Sequence, residues 1–105
     1  MPPPSQKLRI LAGSEENKPL VWHVYVLRDS KGGKLYVGLT GDLDRRLVEH
    51  RSGQTQTTSS FTKPELVYFE GCLNKKDAAR RELQLKTGFG RGYLTRRLQD
   101  YLVDK

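Results

Sequence analysis

Three short stretches of the chain are rich in β-branched and aromatic residues and are bounded by polar, turn-forming residues. The first is residues 21–28 (VWHVYVLR), the second is residues 34–40 (KLYVGLT), and the third is residues 65–71 (ELVYFEG). Between the first two, residues 29–33 read Asp-Ser-Lys-Gly-Gly. This composition and spacing predict a β-hairpin, followed later in the chain by a third strand.

The two faces of the predicted hairpin carry different kinds of residue. A symmetric pairing about residues 30–31 predicts Tyr25 opposite Tyr36 and His23 opposite Gly38. The other face is apolar and predicts a core; its residues are Trp22, Val24, Val26, Leu35, Val37 and Leu39. The tyrosine face is open to a functional or a structural interpretation, because tyrosine also favours strands in the absence of any function.

Helical spacing and capping residues predict three helices in the rest of the chain. The first helix runs from its cap Asp42 to about Ser52, and the second runs from Asn74 to Gly88. The third helix begins after Gly90, and its apolar residues recur at helical intervals. These residues are Leu94, Leu98, Tyr101 and Leu102. The predicted order of elements is strand, strand, helix, strand, helix, helix.

The length of 105 residues leaves room for one domain with at most a short tail. The proline-rich residues 1–20 predict a flexible tail, so that the domain comprises residues 21–105, and the Thr- and Ser-rich residues 54–62 predict a loop. No apolar run approaches the ~20 residues that a membrane span needs, and no apolar signal segment is visible. These features predict a cytoplasmic protein without a membrane partner. The single cysteine, Cys72, excludes an internal disulfide.

Positive charge is concentrated toward the C-terminus. The whole chain carries a formal net charge of +7. Residues 72–105 contribute nine basic and four acidic residues, a net charge of +5. A strongly basic surface favours an anionic partner, and nucleic acid is the first candidate.

The first predicted helix carries polar residues beside its apolar stripe. Leu43 and Leu47 define the stripe, His50 falls between them, and Arg46 lies at the edge. An arginine at this place must either reach an anion or extend to water. Arg46 and His50, four residues apart, share one face of the helix.

The second predicted helix places an acid in its apolar stripe. Ala78 and Leu85 mark the inward side, and Glu82 lies between them. A carboxylate there needs a partner, because burying an unpaired charge is costly. The pattern leaves two interpretations open, either a structural ion pair with Arg46 or a ligand for Mg²⁺ or Mn²⁺.

Taken together, these residues resemble the GIY-YIG nuclease family. The sequence His-Val-Tyr at residues 23–25 and Tyr-Val-Gly at residues 36–38 is followed by Arg46, His50 and Glu82. The resemblance covers residues 22 to about 103 and is to the small, single-domain bacterial-type members. It implies an α/β fold of the α+β type, in which a three-stranded antiparallel sheet is flanked by three helices.

The resemblance also implies a function and a role for each site residue. The implied function is a metal-dependent endonuclease that hydrolyses DNA phosphodiester bonds, with DNA repair or recombination as its setting and RNA left open as a substrate. Glu82 would hold a single divalent ion, Mg²⁺ or Mn²⁺. Tyr25, the preferred base, or Tyr36 would activate the attacking water. Arg46 would bind the scissile phosphate, and His50 would assist the site.

The alternative function is a nucleic-acid-binding module that keeps the fold but cleaves little or nothing. The predicted nucleic-acid contacts are Gly38, Lys63, Lys86 and Arg91. The sequence also departs from the family pattern. The first triplet lacks its glycine, Val37 replaces isoleucine, Leu39 replaces a lysine found in some excision-repair relatives, and no asparagine follows Asn74.

Overall fold

The computed structural model describes residues 19–53 and 63–103. The predicted loop at residues 54–62, and all but the last two residues of the predicted tail, lie outside these ranges. Three strands and four helices are present in the described residues: β1 (Trp22–Asp29), β2 (Leu35–Thr40), α1 (Leu43–Arg51), β3 (Pro64–Cys72), α2 (Lys75–Leu85), α3 (Gly88–Arg97) and α4 (Gln99–Val103). The predicted α/β class and order of elements are confirmed, with α4 as a small additional helix.

The sheet is antiparallel throughout and has the strand order β2-β1-β3. The central strand, β1, is covered on both faces, since Val24 and Val26 on one face and Tyr25 and Leu27 on the other are all buried. Two covered faces explain why this segment is the most continuously apolar part of the chain. β2 and β3 form the two edges of the sheet.

The register of the hairpin differs from the prediction. Tyr25 pairs with Gly38, and Tyr36 pairs with Leu27. The predicted pairing of Tyr25 with Tyr36 is therefore wrong by two residues. Because side chains alternate with a period of two, a shift of two leaves every residue on its predicted face. The two tyrosines are diagonal neighbours on one face instead of direct partners.

The loop that joins β1 to β2 explains this register. The amide of Asp29 donates to the carbonyl of Lys34 over 2.9 Å, so the loop has four residues instead of two. Gly33 adopts a φ of +72°, a conformation that glycine tolerates without strain. The two-residue turn assumed for the prediction would demand positive φ values at Ser30 and Lys31, which both carry side chains.

A bulge interrupts the pairing of β1 with β3. Val26 pairs with Tyr68 and Leu27 pairs with Leu66, which leaves Val67 as an extra residue on β3. Both Val67 and Tyr68 pack against the core. The bulge thus brings an additional side chain of the edge strand onto the core face.

The main core lies between one face of the sheet and the helices α2 and α3. Val24, Val26 and Val37 of the sheet meet Ala78 and Leu85 of α2 and Leu94 of α3, all of them buried. This confirms the predicted apolar face except at Leu35, which is exposed at the start of the edge strand β2. The opposite face carries Tyr25 and is approached by α1 through the buried ring of His50. Within the described residues, none of the helices has the length and apolar character of a membrane span.

The start of α3 was predicted too late in the chain. The second helix ends at Leu85, and Gly88, its predicted end, is the first residue of α3. Thr87 caps α3, since its hydroxyl oxygen accepts from the amide of Gly90 over 3.4 Å. A side chain at Gly90 would clash with the carbonyl of Leu85, so glycine permits this sharp corner between the two helices.

Candidate active site

Three aromatic rings form the centre of the candidate site. The hydroxyl of Tyr25 and Nε2 of His50 are hydrogen-bonded over 2.8 Å. The ring centroid of His50 lies 5.6 Å from that of Tyr25 and 5.1 Å from that of Tyr36, and the two tyrosine centroids are 6.1 Å apart. These are distances at which aromatic rings attract one another. The structure therefore brings together three of the residues predicted from the sequence.

Gly38 makes room for one of these rings. A Cβ atom at this position would clash with the phenol ring of Tyr25, which lies across the glycine from the paired strand. The space that the missing side chain leaves at Gly38 is therefore occupied by Tyr25 of the same chain. The predicted contact of Gly38 with nucleic acid stays a prediction.

Helix α1 places His50 and Arg46 at the site. The carboxylate of Asp42 accepts from the amide of Arg45 over 3.1 Å and so caps the helix as predicted. His50, only 2% exposed, is the buried residue of the inward stripe. Arg46 lies at its edge, and its Nη1 is 3.4 Å from Oε1 of Glu49 on the same helix.

Helix α2 contributes Glu82. Its carboxylate Oε2 is 3.3 Å from Nζ of Lys86, four residues further along the helix. Each of Arg46 and Glu82 thus has an ion-pair partner on its own helix, and the two do not pair with each other in the part of the chain that the structure describes. The structural interpretation of Glu82 as the partner of Arg46 is contradicted.

The charges of Arg46 and Glu82 both act on Tyr25. Burial, followed by the neighbouring Tyr36 phenol, raises the pKa of Tyr25 well above its ordinary value of 10. Arg46 lowers this pKa and Glu82 raises it further, but both effects are smaller than that of burial. The guanidinium of Arg46 favours the phenolate of Tyr25, but the effect of burial on this pKa is larger. Tyr25 is therefore a neutral phenol near neutral pH.

The ring of His50 is also held neutral. Burial and the nearby positive charge of Arg46 lower its pKa from the ordinary value of 6.5, and Glu49 offsets part of this effect. A neutral imidazole has one nitrogen that donates and one that accepts. The hydrogen bond between Tyr25 and His50 therefore joins two neutral groups, each of which is able to donate or accept a proton.

The carboxylate of Glu82 fits a binding mode in which a hard cation takes its remaining ligands from water and substrate. Its side chain is partly exposed, with 19% of its surface accessible. Among the described residues, no group of three or more His, Cys, Asp or Glu side chains gathers to hold a metal. Magnesium ions keep several waters and are commonly bound by one or two carboxylates together with substrate phosphates. A single accessible carboxylate fits that mode of binding.

The remaining predicted contacts fall into two places. Lys86 and Arg91 line a cavity of about 600 Å³ that reaches Tyr36 along the edge strand β2. Lys63 is exposed at the start of β3, where its carbonyl accepts from the amide of Ser30, and it does not line this cavity.

The sequence reasoning missed one residue, Lys34, which lines the same cavity. Its position two residues before Tyr36 was a usable signal, because alternate residues of an extended segment point the same way.

Comparisons with known proteins show which family the chain resembles. The family model described as the GIY-YIG catalytic domain matches residues 21–101. A UPF0213 protein of Staphylococcus saprophyticus is 33% identical over 66 residues, covering 62% of this chain and 79% of the relative. A UPF0213 protein of Pseudomonas aeruginosa is 41% identical over 66 residues, covering 62% of each protein. The solution NMR structure of a UPF0213 protein from Bacillus halodurans has 32% identity and a TM-score of 0.40, and covers 80% of this chain and 83% of that one.

Proposed function

The chain belongs to the GIY-YIG family, a nuclease-type family, and from that premise we propose that it is a metal-dependent endonuclease that hydrolyses phosphodiester bonds in DNA. The observation that carries the proposal is the cluster of Tyr25, Tyr36 and His50, with the charges of Arg46 and Glu82 both acting on it. A role in DNA repair or recombination is the biological setting that we propose for this activity.

The reaction needs a positive group beside the phosphate. Negative charge builds on the non-bridging oxygens and on the leaving oxygen as the phosphodiester bond is cut. Arg46 is suited to bind these oxygens, because its present partner, Glu49, is a neighbour on an exposed helix face and not a buried counterion. Ion pairs of this kind contribute little stability and are readily exchanged.

Tyr36 and Tyr25 have different roles in the proposed mechanism. Tyr36 is half-buried and is one of the residues that line the cavity, so we assign the activation of the attacking water to its hydroxyl. Tyr25 is only 1% exposed, and the raised pKa of its phenol makes it a poor base. We assign Tyr25 and His50 to holding Tyr36 in place and to moving a proton between their hydrogen-bonded atoms, which reverses the preference for Tyr25 as the base.

Glu82 would hold a single Mg²⁺ or Mn²⁺. A divalent cation bound there would supply Lewis-acid stabilisation of the charge on the phosphate oxygens. The negative charge of this carboxylate acts on Tyr25, whose pKa it raises.

A plasmid-nicking assay tests the proposal. Supercoiled DNA is incubated with the protein in Mg²⁺, in Mn²⁺ and in EDTA, and nicking is expected only with a divalent ion. Glu82→Ala is expected to abolish nicking, whereas Asp77→Ala, which removes an exposed acid of the same helix, is expected to retain it. Equal nicking by wild type and Glu82→Ala would contradict the assigned role.

A second function, nucleic-acid binding without cleavage, is favoured by one feature of the site. The carboxylate of Glu82 is already paired with Lys86, and the cavity beside it is lined by basic residues. Salt-dependent binding of DNA without nicking in any divalent ion would support this alternative over the endonuclease.

A further inference from the structure

The cavity at the edge of β2 has the character of a binding groove for an anionic polymer. It lies between β2 and the helices α2 and α3, and its volume of about 600 Å³ is within the range of ligand-binding clefts. Leu85 and Leu94 form part of an apolar wall, and Lys34, Lys86 and Arg91 supply positive charge from three different elements or their flanking loops. Of the described residues that line it, none carries an acidic side chain.

Lys86 connects this groove to the candidate active site. Its ammonium group is 3.3 Å from Glu82, and the same side chain lines the cavity. The side chain of Lys86 is half-exposed, and Lys86 is the C-cap residue of α2. Because the lysine of this pair is exposed to water and lies four residues from its partner, the pair is weak and is screened by salt, so Lys86 can exchange partners.

We propose that this groove binds the sugar–phosphate backbone of a nucleic acid beside the cleaved bond, and that Lys86 moves from Glu82 to a backbone phosphate when the strand enters. The inference rests on the proposed function and adds a mode of regulation to it. The occupant is a nucleic acid because the groove combines three cationic side chains with apolar surface and runs directly to Tyr36. Phosphates meet the cations, and sugars or bases meet the leucines.

The exchange of Lys86 couples the binding of the strand to the binding of a cation at Glu82. In the free protein, Lys86 occupies the carboxylate and competes with a divalent ion. Once Lys86 contacts a phosphate, the carboxylate is released, and the same strand supplies a phosphate that can complete the coordination of the ion. The coupling is reciprocal, so the divalent ion strengthens strand binding by the same factor. The protein thus assembles its complete site only on its substrate.

Binding of DNA in EDTA tests the groove without any metal. Fluorescence anisotropy is measured on a labelled duplex of about 20 base pairs over a range of salt concentrations. Lys34→Gln and Arg91→Gln are each expected to lower the slope of log affinity against log salt by about 0.9. Lys76→Gln, at the opposite end of α2, is the matched control and is expected to leave the slope unchanged. Unchanged slopes for Lys34→Gln and Arg91→Gln would overturn the proposal that the groove binds a nucleic-acid backbone.

Binding of Mn²⁺, followed by electron paramagnetic resonance, tests the exchange of Lys86. The duplex is expected to raise the affinity of the wild type for Mn²⁺ by about fivefold or more. Lys86→Gln is expected to bind Mn²⁺ more tightly than the wild type in the absence of DNA and to show a smaller enhancement with it. The same enhancement in Lys86→Gln, or none in the wild type, would overturn the exchange.

The proposed function fails on a different result of the same experiment. If Glu82→Ala binds Mn²⁺ as the wild type does in the presence of DNA, Glu82 is not the ligand and the endonuclease mechanism is wrong. If Mn²⁺ binding depends on Glu82 but is insensitive to Lys86→Gln, the endonuclease mechanism stands and only the exchange is wrong.

Discussion

Two clusters that each contain a pair of tyrosines differ in how their charged groups are paired. One consists of Tyr68 and Glu70 of β3, Arg81 of α2 and Tyr93 of α3, and we call it the closed cluster. The other consists of Tyr25, Tyr36, His50, Arg46 and Glu82, and we call it the open cluster. The first lies on the core face. The three rings of the second lie on the face that α1 approaches, and its Glu82 belongs to α2.

Every charge in the closed cluster is satisfied by a partner from another element. Nε of Arg81 donates to Glu70 over 2.6 Å, the hydroxyl of Tyr68 donates to the same carboxylate over 2.5 Å, and the hydroxyls of Tyr68 and Tyr93 are 3.0 Å apart. The guanidinium of Arg81 also lies over the ring of Tyr93, 4.6 Å from its centroid. Burial by itself would raise the pKa of Glu70, but hydrogen bonds from Arg81 and Tyr68 hold it below its ordinary value.

Among the residues that the structure describes, the charges of the open cluster have only local partners. Arg46 pairs with Glu49 and Glu82 pairs with Lys86, each within its own helix and near the surface. The cluster thus brings a guanidinium and a carboxylate toward three rings without joining them to each other. The closed cluster ties β3, α2 and α3 together, whereas the open cluster leaves its charges available to a ligand. We therefore propose that the closed cluster stabilises the fold and that the open cluster carries out the proposed cleavage.

A large loss of activity is expected from removing the guanidinium of the open cluster. Arg46→Ala is expected to lower the rate of nicking by about 10²- to 10³-fold, because it removes a group that stabilises charge on the phosphate. Arg45→Ala is the matched control, since Arg45 pairs with the same glutamate but is exposed. Comparable losses in both variants would show that the pairing with Glu49 matters, and not the position of Arg46 at the site.

A smaller effect is expected when the space under Tyr25 is filled. Gly38→Ala is expected to destabilise the protein by about 1–3 kcal/mol and to lower nicking, because the new methyl group must displace the Tyr25 ring. Gly88→Ala is the control. A Cβ atom there meets nothing within 4 Å, so the change in unfolding free energy should stay within about 0.5 kcal/mol. Thermal unfolding of both variants measures the difference in stability. A Gly38→Ala protein that is active and as stable as Gly88→Ala would contradict the contact between Tyr25 and Gly38.

The smallest expected effect is on the pH dependence of stability. Because the pKa of His50 is lower in the folded protein than its ordinary value of 6.5, the unfolded chain takes up this proton first as the pH falls. The contribution of neutral His50 to the free energy of unfolding is fully present above about pH 6.5. It is lost as the pH falls through the pKa of His50 in the folded protein.

His50→Gln removes this group and is expected to unfold with a shallower loss of stability between about pH 7 and pH 5. Denaturant unfolding of both proteins across that range measures the difference. A steeper loss in the variant would show that His50 is protonated in the folded protein.

The sequence predicted correctly which residues share a face of a strand or a helix, because alternation and helical spacing are local properties. The inward stripes of α1 and α2, the cap at Asp42 and the shared tyrosine face all follow from such patterns. The hairpin register did not follow, because it depends on which residue of the loop adopts positive φ, and Gly33 does so. The bulge at Val67 could not be predicted from local patterns either, because it depends on how β3 pairs with β1, a strand distant in sequence.

The partners of the charged residues were the hardest feature to predict. Arg46 pairs with Glu49 and Glu82 pairs with Lys86, three and four residues away along the chain. Helical spacing allows these local pairs, but it equally allows a pair between the two helices, so the pattern could not decide between them. The packing of α2 against β3 brings Arg81, and not its neighbour Glu82, to Glu70 of the closed cluster. Lys34 joins the cavity only because α2 and α3 pack beside the end of β2.

One measurement on two glutamates tests the division between the clusters most directly. Nicking rate and unfolding free energy are determined for Glu82→Gln and Glu70→Gln, with activity assayed at a temperature where both variants are folded. We expect Glu82→Gln to lose nearly all activity and no more than about 0.5 kcal/mol of stability. We expect Glu70→Gln to lose about 2 kcal/mol, because Arg81 is left without its counterion, and to keep its activity while folded. The reverse pattern, with Glu82→Gln unstable and Glu70→Gln inactive, would contradict the account.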